Sequence, residues 1–101
     1  MNTKEIRAHI IKRDFKITDH AFDEMRADGL IFQDVVSAIM NGEIIENYPK
    51  AYPLPAVLIN GKTENGEPVH ICVSLPPSVK IVTVYRPDSK KWTDGFCKRR
   101  L

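Results

Sequence analysis

The sequence predicts an α+β domain, in which N-terminal helices pack on one face of a four-stranded antiparallel β-sheet. Two observations predict this order. Apolar residues recur at helical spacing as far as Gly42, and from Glu43 onward they alternate with polar residues at every second position. Short turn sequences rich in Pro, Gly and Asn separate the alternating runs, as expected between antiparallel strands. Helices that precede the strands, rather than alternate with them, are typical of an α+β architecture.

The first two helices are expected before residue 30. The first covers about residues 3–13, because Ile6 and Ile10 recur at helical spacing opposite charged residues. A short extended piece, "FKI", follows it. Thr18 is then expected to cap a second helix that ends at Gly29, since a Thr side chain at this position accepts a backbone N–H. The buried stripe of this second helix is expected to contain Phe22 and Met25.

A third helix precedes the sheet, and Gly42 is expected to stop it in the left-handed conformation. Its apolar stripe consists of Val35, Val36, Ile39 and Met40. Four strands are then predicted, at about residues 43–48, 56–62, 68–75 and 80–86. The connections between them are the proline-rich "YPKAYPLP", the hairpin turn "ENGE" and the "PPS" turn. The closing segment "SKKWTDGFCKRRL" is expected to form a turn or short helix, with Trp92 and Phe96 against the body.

The size and composition predict one globular domain over residues 1–101. A chain of 101 residues with 43% hydrophobic and 28% charged residues can bury a single core. The sequence has neither the apolar run of a signal peptide nor that of a membrane span, so the expected location is the cytoplasm, with no membrane partner. Two cysteines, Cys72 and Cys97, give no disulfide framework, which fits a reducing compartment.

Positive charge is concentrated at both ends of the chain, whereas the middle is acidic, although the net charge is only +2. This distribution favours binding of a polyanion, RNA above all, or of an acidic protein partner. Basic chain ends also keep proteins soluble, and this simpler interpretation stays open. The candidate RNA-binding residues are Lys90, Lys91, Lys98, Arg99 and Arg100.

Two neighbouring strands carry chemically capable residues on the face that the helices leave open. The third predicted strand turns Val69, Ile71 and Val73 toward the helices, and His70, Cys72 and Ser74 toward the open face. The fourth predicted strand is expected to turn Val82 and Val84 toward the core, and Ile81, Thr83 and Tyr85 toward the open face. The sequence thus predicts a polar patch beside the basic C-terminal segment.

This patch has the groups that RNA cleavage without a metal requires. A base must take the proton of the 2′-hydroxyl group, an acid must protonate the leaving oxygen, and cations must stabilise the phosphorane. His70 or His20 can serve as the base, because the start of a helix keeps His20 neutral. Tyr85 can serve as the acid, and Arg86 with Lys90 or Lys91 as the cations.

Structural interpretations of the same residues stay open. His70 can be a half-exposed strand residue satisfied by its neighbours, Tyr85 an aromatic residue at the rim, and Cys72 a small filler. The histidines and cysteines lack the paired spacing of a zinc site, and the sequence has no Gly-rich phosphate loop. No metal or cofactor is therefore expected.

Four stretches of the sequence form a recognisable combination: "ITDHAFDEMRADGL", "DVVSAIMNGEIIENYP", "PVHICVSL" and "KIVTVYRPDSKKW". Together they resemble a small bacterial and archaeal domain family of unknown function, which is itself similar to the RelE/ParE toxin superfamily. Members of that family are often encoded beside a YgiT-type zinc-finger antitoxin. The signature positions of the resemblance are His20, His70, Thr83, Tyr85 and Arg86.

The resemblance implies a RelE-like fold and a toxin of a type II toxin-antitoxin system, a metal-independent ribonuclease acting on mRNA. It also implies two partners: RNA or ribosome-bound mRNA, and a small antitoxin, in some cases of the zinc-finger type. The sequence departs from the better-studied relatives, which carry several Arg and Lys residues on the sheet, since here only Lys80 and Arg86 lie there. A non-catalytic protein- or RNA-binding module is the alternative.

Overall fold

A computed structural model describes residues 3–100, so both ends of the predicted domain lie outside the described residues. The α+β class is confirmed, because three helices come first and the main sheet follows. The helices are α1 (Thr3–Ile11), α2 (Asp19–Ala27) and α3 (Phe32–Asn41). The strands are β1 (Lys16–Ile17), β2 (Glu43–Tyr48), β3 (Ala56–Lys62), β4 (Pro68–Ser74), β5 (Lys80–Tyr85), β6 (Trp92–Thr93) and β7 (Lys98–Arg99).

The main sheet has five strands rather than the expected four, in the order β1-β5-β4-β3-β2. Strands β2 to β5 pair antiparallel with their neighbours, as the alternating pattern indicates. The expectation of a wholly antiparallel sheet was wrong, because β1 joins the edge of β5 in parallel. Its backbone is held there by the N–H groups of Lys16 and Thr18, which donate to Val79 and Ile81. Two residues are too few to show a period in the sequence.

The helices cover one face of the sheet and form a single buried core with it. Thr18 caps α2 as predicted, since its hydroxyl accepts the N–H of Ala21 at 3.1 Å. Met25 is buried, but the expectation for Phe22 was wrong: it is 52% exposed, and Ala21 is buried instead. Ala21 and Met25 are four residues apart and share the buried face of α2, whereas Phe22 lies about 100° around the helix from Ala21.

Gly42 ends α3 for a reason that differs from the expected one. Its backbone is extended, with φ −89° and ψ 178°, so it is not a left-handed stop. A Cβ atom at this position would lie 2.4 Å from the carbonyl oxygen of Ala38. The free carbonyl groups at this helix end are instead satisfied by Arg7, which donates to Ile39 at 3.2 Å and to Gly42 at 2.6 Å. Close backbone packing therefore selects glycine here.

A bulge in the pairing of β4 with β5 changes which residues of β5 face the core. Cys72 pairs with Thr83, but the next residue, Val73, pairs with Ile81, so Val82 is the extra residue. Ile81 is consequently fully buried in the core, and the prediction that it lies on the open face was wrong. Val84 still faces the core as predicted. A strict alternation cannot indicate a bulge, because the bulge breaks the alternation.

Candidate functional site on the outer face of the sheet

Four side chains form a row across the sheet, on the face opposite the helices, which we call the outer face. Glu43 on β2 is paired with Asn60 on β3, which is paired with His70 on β4, which is paired with Tyr85 on β5. We call these four residues the cross-strand row. Neighbouring strands lie about 4.8 Å apart, so each member of the row can contact the next one.

His70 lies at the centre of this row and is fully buried, with 0% of the residue exposed. The sequence predicted an open face here, and this expectation was wrong. The Trp92 ring packs edge-on against the imidazole, with 4.4 Å between the ring centroids. The covering groups come from residues 92–99. Trp92 packs against the body as predicted, but no local pattern indicates that this segment covers the outer face.

Both nitrogen atoms of His70 are hydrogen-bonded, and the partners define the position of its proton. Nε2 lies 2.8 Å from the carbonyl oxygen of Phe96, which can only accept, so Nε2 carries the hydrogen. Burial lowers the pKa of His70, which favours the neutral ring. Nδ1 is then an acceptor, and the Tyr85 hydroxyl donates to it at 3.0 Å. Burial also raises the pKa of Tyr85, which keeps this phenol protonated.

The covering segment is a small hairpin formed by β6 and β7, which we call the C-terminal hairpin (residues 92–99). Its turn has three consecutive residues with positive φ: Asp94 at 53°, Gly95 at 68° and Phe96 at 69°. Such values are rare for a bulky residue such as Phe. Two members of the cross-strand row hold the turn, since Asn60 donates from Nδ2 to the Gly95 carbonyl at 3.0 Å and His70 donates to that of Phe96.

An ion pair joins the hairpin to the edge strand of the sheet. Arg99 donates from Nε and Nη2 to the two carboxylate oxygens of Glu46, at 2.8 and 3.0 Å. This pairing lowers the pKa of Glu46 and raises that of Arg99. Tyr48 donates to the same carboxylate, and burial together with this contact raises its pKa to about 12. The Arg99 guanidinium also lies 4.7 Å from the centroid of the Trp92 ring.

Sequence reasoning missed several residues of this site: Glu43, Glu46, Tyr48 and Asn60. The alternation in "EIIENY" contains a signal for two of them, because Glu46 and Tyr48 are two residues apart and share a strand face. Asn60 follows four buried apolar residues in β3, and an amide in such a strand needs a partner.

The structure does not bring the remaining predicted catalytic residues to the His70–Tyr85 pair. His20 lies on α2, on the helical side of the sheet, with 68% of its side chain exposed and its Nε2 3.3 Å from Glu24. Arg86 donates from Nε to the Asp28 carbonyl at 3.0 Å and forms an ion pair with Glu67 at 3.2 Å. Thr83 is on the outer face, where it is paired with Cys72.

Cys72 is half-buried on the outer face, one row away from His70 and Tyr85. Burial raises the pKa of its thiol, which disfavours the reactive thiolate. Cys72 therefore fits the structural interpretation of a small filler better than that of a nucleophile.

The predicted RNA-binding residues lie in or beside the C-terminal hairpin. Lys98 is 3.8 Å from Asp94, and Arg100 donates from Nε to the Ser89 carbonyl at 2.7 Å. Lys90 and Lys91 are exposed in the turn that precedes β6. The hairpin therefore brings the basic segment to the same face as the His70–Tyr85 pair. In the part of the chain that the structure describes, no three His, Cys, Asp or Glu side chains are placed to hold a metal ion.

The comparisons with known proteins define a family. A family described as a domain of unknown function (DUF4258) matches residues 17–86, which is more than half of the chain. The chain therefore belongs to this DUF4258 family. Searches of curated proteins and of solved structures each gave no match. Within residues 3–100, none of the helices is long and apolar enough to cross a membrane.

Proposed function

We propose that this protein is a metal-independent endoribonuclease that acts on mRNA, as the RelE-like toxin of a type II toxin-antitoxin system. The observation that carries the proposal is the Tyr85–His70 hydrogen bond on a sheet face bordered by the basic hairpin. A phenol backed by a neutral imidazole can accept and pass on a proton, and nearby cations attract the phosphate.

In the proposed reaction, His70 acts through Tyr85, because both of its nitrogen atoms are engaged and its ring is buried. The Tyr85 hydroxyl passes its proton to Nδ1 of His70 while its oxygen takes the proton of the substrate 2′-hydroxyl group. The 2′-oxygen then attacks the adjacent phosphorus atom, and the bond to the 5′-oxygen breaks. The products are a 2′,3′-cyclic phosphate and a 5′-hydroxyl end, whose proton comes from a water molecule. The hydroxide ion that remains is neutralised by the proton that His70 returns through Tyr85.

The charges around His70 support its role as the final proton acceptor. The imidazolium that forms keeps its Nε2–H bond to the Phe96 carbonyl, which stabilises the positive charge. Burial lowers the pKa of His70, and the Arg99 guanidinium acts in the same direction as burial, whereas the Phe96 carbonyl and the Glu46 carboxylate raise this pKa. Because burial lowers the pKa of His70, the imidazolium can return its proton after each turnover.

The proposed partners follow from charge and from the resemblance. The basic hairpin supports binding of RNA or ribosome-bound mRNA in the cytoplasm. An acidic antitoxin, which in some members of the family is of the zinc-finger type, would bind such a toxin and inhibit it. The single five-stranded sheet with helices on one face is compatible with a RelE-like fold.

A second candidate function is a non-catalytic binding module, and one observation favours it. His70 is fully buried with both nitrogen atoms satisfied, as expected of a side chain that only anchors the hairpin to the sheet. In that case Tyr85 is a structural partner, and the basic hairpin binds RNA or protein without turnover.

The test is cleavage of single-stranded RNA by the purified protein in EDTA, with mass spectrometry of the new ends. We expect cleavage with cyclic phosphate ends, a loss of at least about 100-fold in Tyr85→Phe, and no loss in Tyr52→Phe. Tyr52 is the matched control, because it is 96% exposed. Thermal unfolding of each variant checks that it is folded. Intact RNA in all samples, or equal cleavage by Tyr85→Phe, contradicts the nuclease and leaves the binding module.

A further inference from the structure

A cleft of about 750 Å³ lies at the end of the cross-strand row that is far from Tyr85. It lies between the C-terminal end of α3, the turn that joins β3 to β4, and the turn of the C-terminal hairpin. The lining residues that matter for its chemistry are Glu43, Asn60, Lys62 and Phe96. The cleft combines a carboxylate, an amide, an ammonium group and an aromatic ring.

The sheet register brings the three polar groups of the cleft close together. Glu43 is paired with Asn60, and Lys62 is two residues further along β3, so all three lie on the outer face. Asn41 fixes the backbone of Lys62, since it accepts the Lys62 N–H at 3.0 Å and donates to the Lys62 carbonyl at 2.9 Å. The side chains of Glu43 and Lys62 are exposed, so a ligand can reach them.

The amide of Asn60 is oriented by the hairpin turn. Its Nδ2 donates to the Gly95 carbonyl and to Sγ of Cys97, at 3.0 and 3.2 Å. Within residues 3–100 no group donates to its Oδ1, which is left as an acceptor on the residue that is paired with Glu43. Glu43 has one weak contact, from the Cys97 thiol at 3.5 Å. Two acceptor groups therefore lie side by side at the cleft.

Phe96 is the aromatic residue among those that line the cleft. The backbone of Phe96 has φ 69°. This conformation costs energy for a residue with a bulky side chain, and it persists only where neighbouring groups impose it. The bonds from Asn60 to Gly95 and from His70 to Phe96 impose it here. Unpaired RNA bases stack on aromatic side chains and form hydrogen bonds through their exposed edges.

We propose that this cleft binds the base of an unpaired guanosine. Guanine has two adjacent donors, N1–H and N2–H, which match the two oxygens of Glu43, and its O6 acceptor matches the ammonium group of Lys62. Adenine and cytosine each place an acceptor where guanine has N1–H, so the carboxylate repels them. Uracil has one donor between two acceptors and forms only a single such bond.

The cleft gives the proposed ribonuclease a substrate preference, and in this respect the inference rests on the proposed function. Glu43 and Tyr85 are separated by three strand spacings, about 14 Å, and the C-terminal hairpin covers His70 between them. This exceeds the reach of a nucleotide from the edge of its base to its own 3′-phosphate. A guanosine bound in the cleft is therefore a nucleotide that flanks the cleaved bond, and it positions the RNA chain relative to Tyr85.

The test measures binding without cleavage. Fluorescently labelled tetranucleotides with 2′-deoxyribose throughout, which cannot be cleaved by this reaction, carry guanine, hypoxanthine, adenine or cytosine at one position among thymines. Fluorescence anisotropy gives the Kd for each. We expect guanine to bind about ten-fold more tightly than adenine or cytosine, since a bidentate contact discriminates by a factor of this order. Hypoxanthine, which lacks the N2 amino group, falls between them.

Two variants, each of which loses one negative charge, distinguish a direct contact of Glu43 with the base from a general effect of charge at the cleft. Glu43→Gln is expected to reduce the preference for guanine to two-fold or less. Glu64→Gln removes one negative charge from the same cleft and is expected to keep the preference. Equal binding of all four oligonucleotides, no binding, or a preference that survives in Glu43→Gln overturns the proposal.

The result of the binding measurement is independent of the result of the cleavage assay. A guanine preference in a protein that leaves RNA intact would contradict the proposed reaction and keep the base-binding cleft. Cleavage of RNA without any preference for guanine would keep the reaction and remove the cleft.

Discussion

The neutral state of His70 predicts that acid weakens the fold in a defined pH range. Burial lowers the pKa of His70 below its ordinary value of 6.5, so the folded chain keeps the ring neutral while the unfolded chain protonates it. The unfolded state then binds more protons, and stability falls as the pH drops through 6.5. The fall ends when the pH reaches the lowered pKa of the folded state. Each unit of lowering corresponds to about 1.4 kcal/mol.

Urea unfolding at pH 7.5, 6.5, 5.5 and 5.0 measures this loss, and His70→Gln supplies the reference. The difference between wild type and variant removes the contributions of all other titrating groups. For a urea slope of about 1–3 kcal/mol/M, one unit of lowering shifts the wild-type midpoint by roughly 0.5–1.4 M relative to the variant. The assignment of a neutral His70 would be refuted if the urea midpoints of the two proteins changed equally with pH. It would also be refuted if the wild type gained stability on acidification relative to the variant.

Three substitutions test the packing that holds the site in place, each by urea unfolding. Trp92→Ala removes the buried ring over His70 and is expected to cost about 3–5 kcal/mol, so a cost under about 1 kcal/mol contradicts the docking of the hairpin. Thr18→Ala removes the cap of α2 and its bond to Val82, at a cost of about 1–2 kcal/mol; an unchanged midpoint would be inconsistent with both contacts. Gly42→Ala forces a Cβ against the Ala38 carbonyl and is expected to cost about 1–3 kcal/mol, whereas a neutral effect would mean that this backbone approach is looser.

The sequence was most informative where its signals were local. The sequence predicted the bounds of β2 and β3, because a proline-rich connection separates the two strands and the "ENGE" turn follows β3. The cap at Thr18 was found for the same reason, since it depends on residues within one turn of the helix. Side chains alternate between the two faces of a strand, and this alternation correctly predicted that His70 and Tyr85 lie on the outer face.

Features that depend on distant contacts were not predictable in this way. The bulge at Val82 interrupts the period that would reveal it, and β1 is too short to have a period at all. The burial of His70 depends on a hairpin more than twenty residues away, which is held by contacts such as that from Asn60 to Gly95. The mutual arrangement of such segments is set by tertiary packing, to which local propensity contributes little.

The position of bound RNA tests the central claim most directly, namely that the outer face is where RNA is held for reaction. The measurement is a two-dimensional ¹H–¹⁵N NMR titration with an oligonucleotide whose 2′-hydroxyl groups are replaced by hydrogen. The account predicts shifts concentrated at Tyr85, at residues 94–96 and at the side chain of Arg99, with His20 on α2 unaffected. Shifts confined to the helical side of the sheet, with Tyr85 unchanged at saturation, would contradict it.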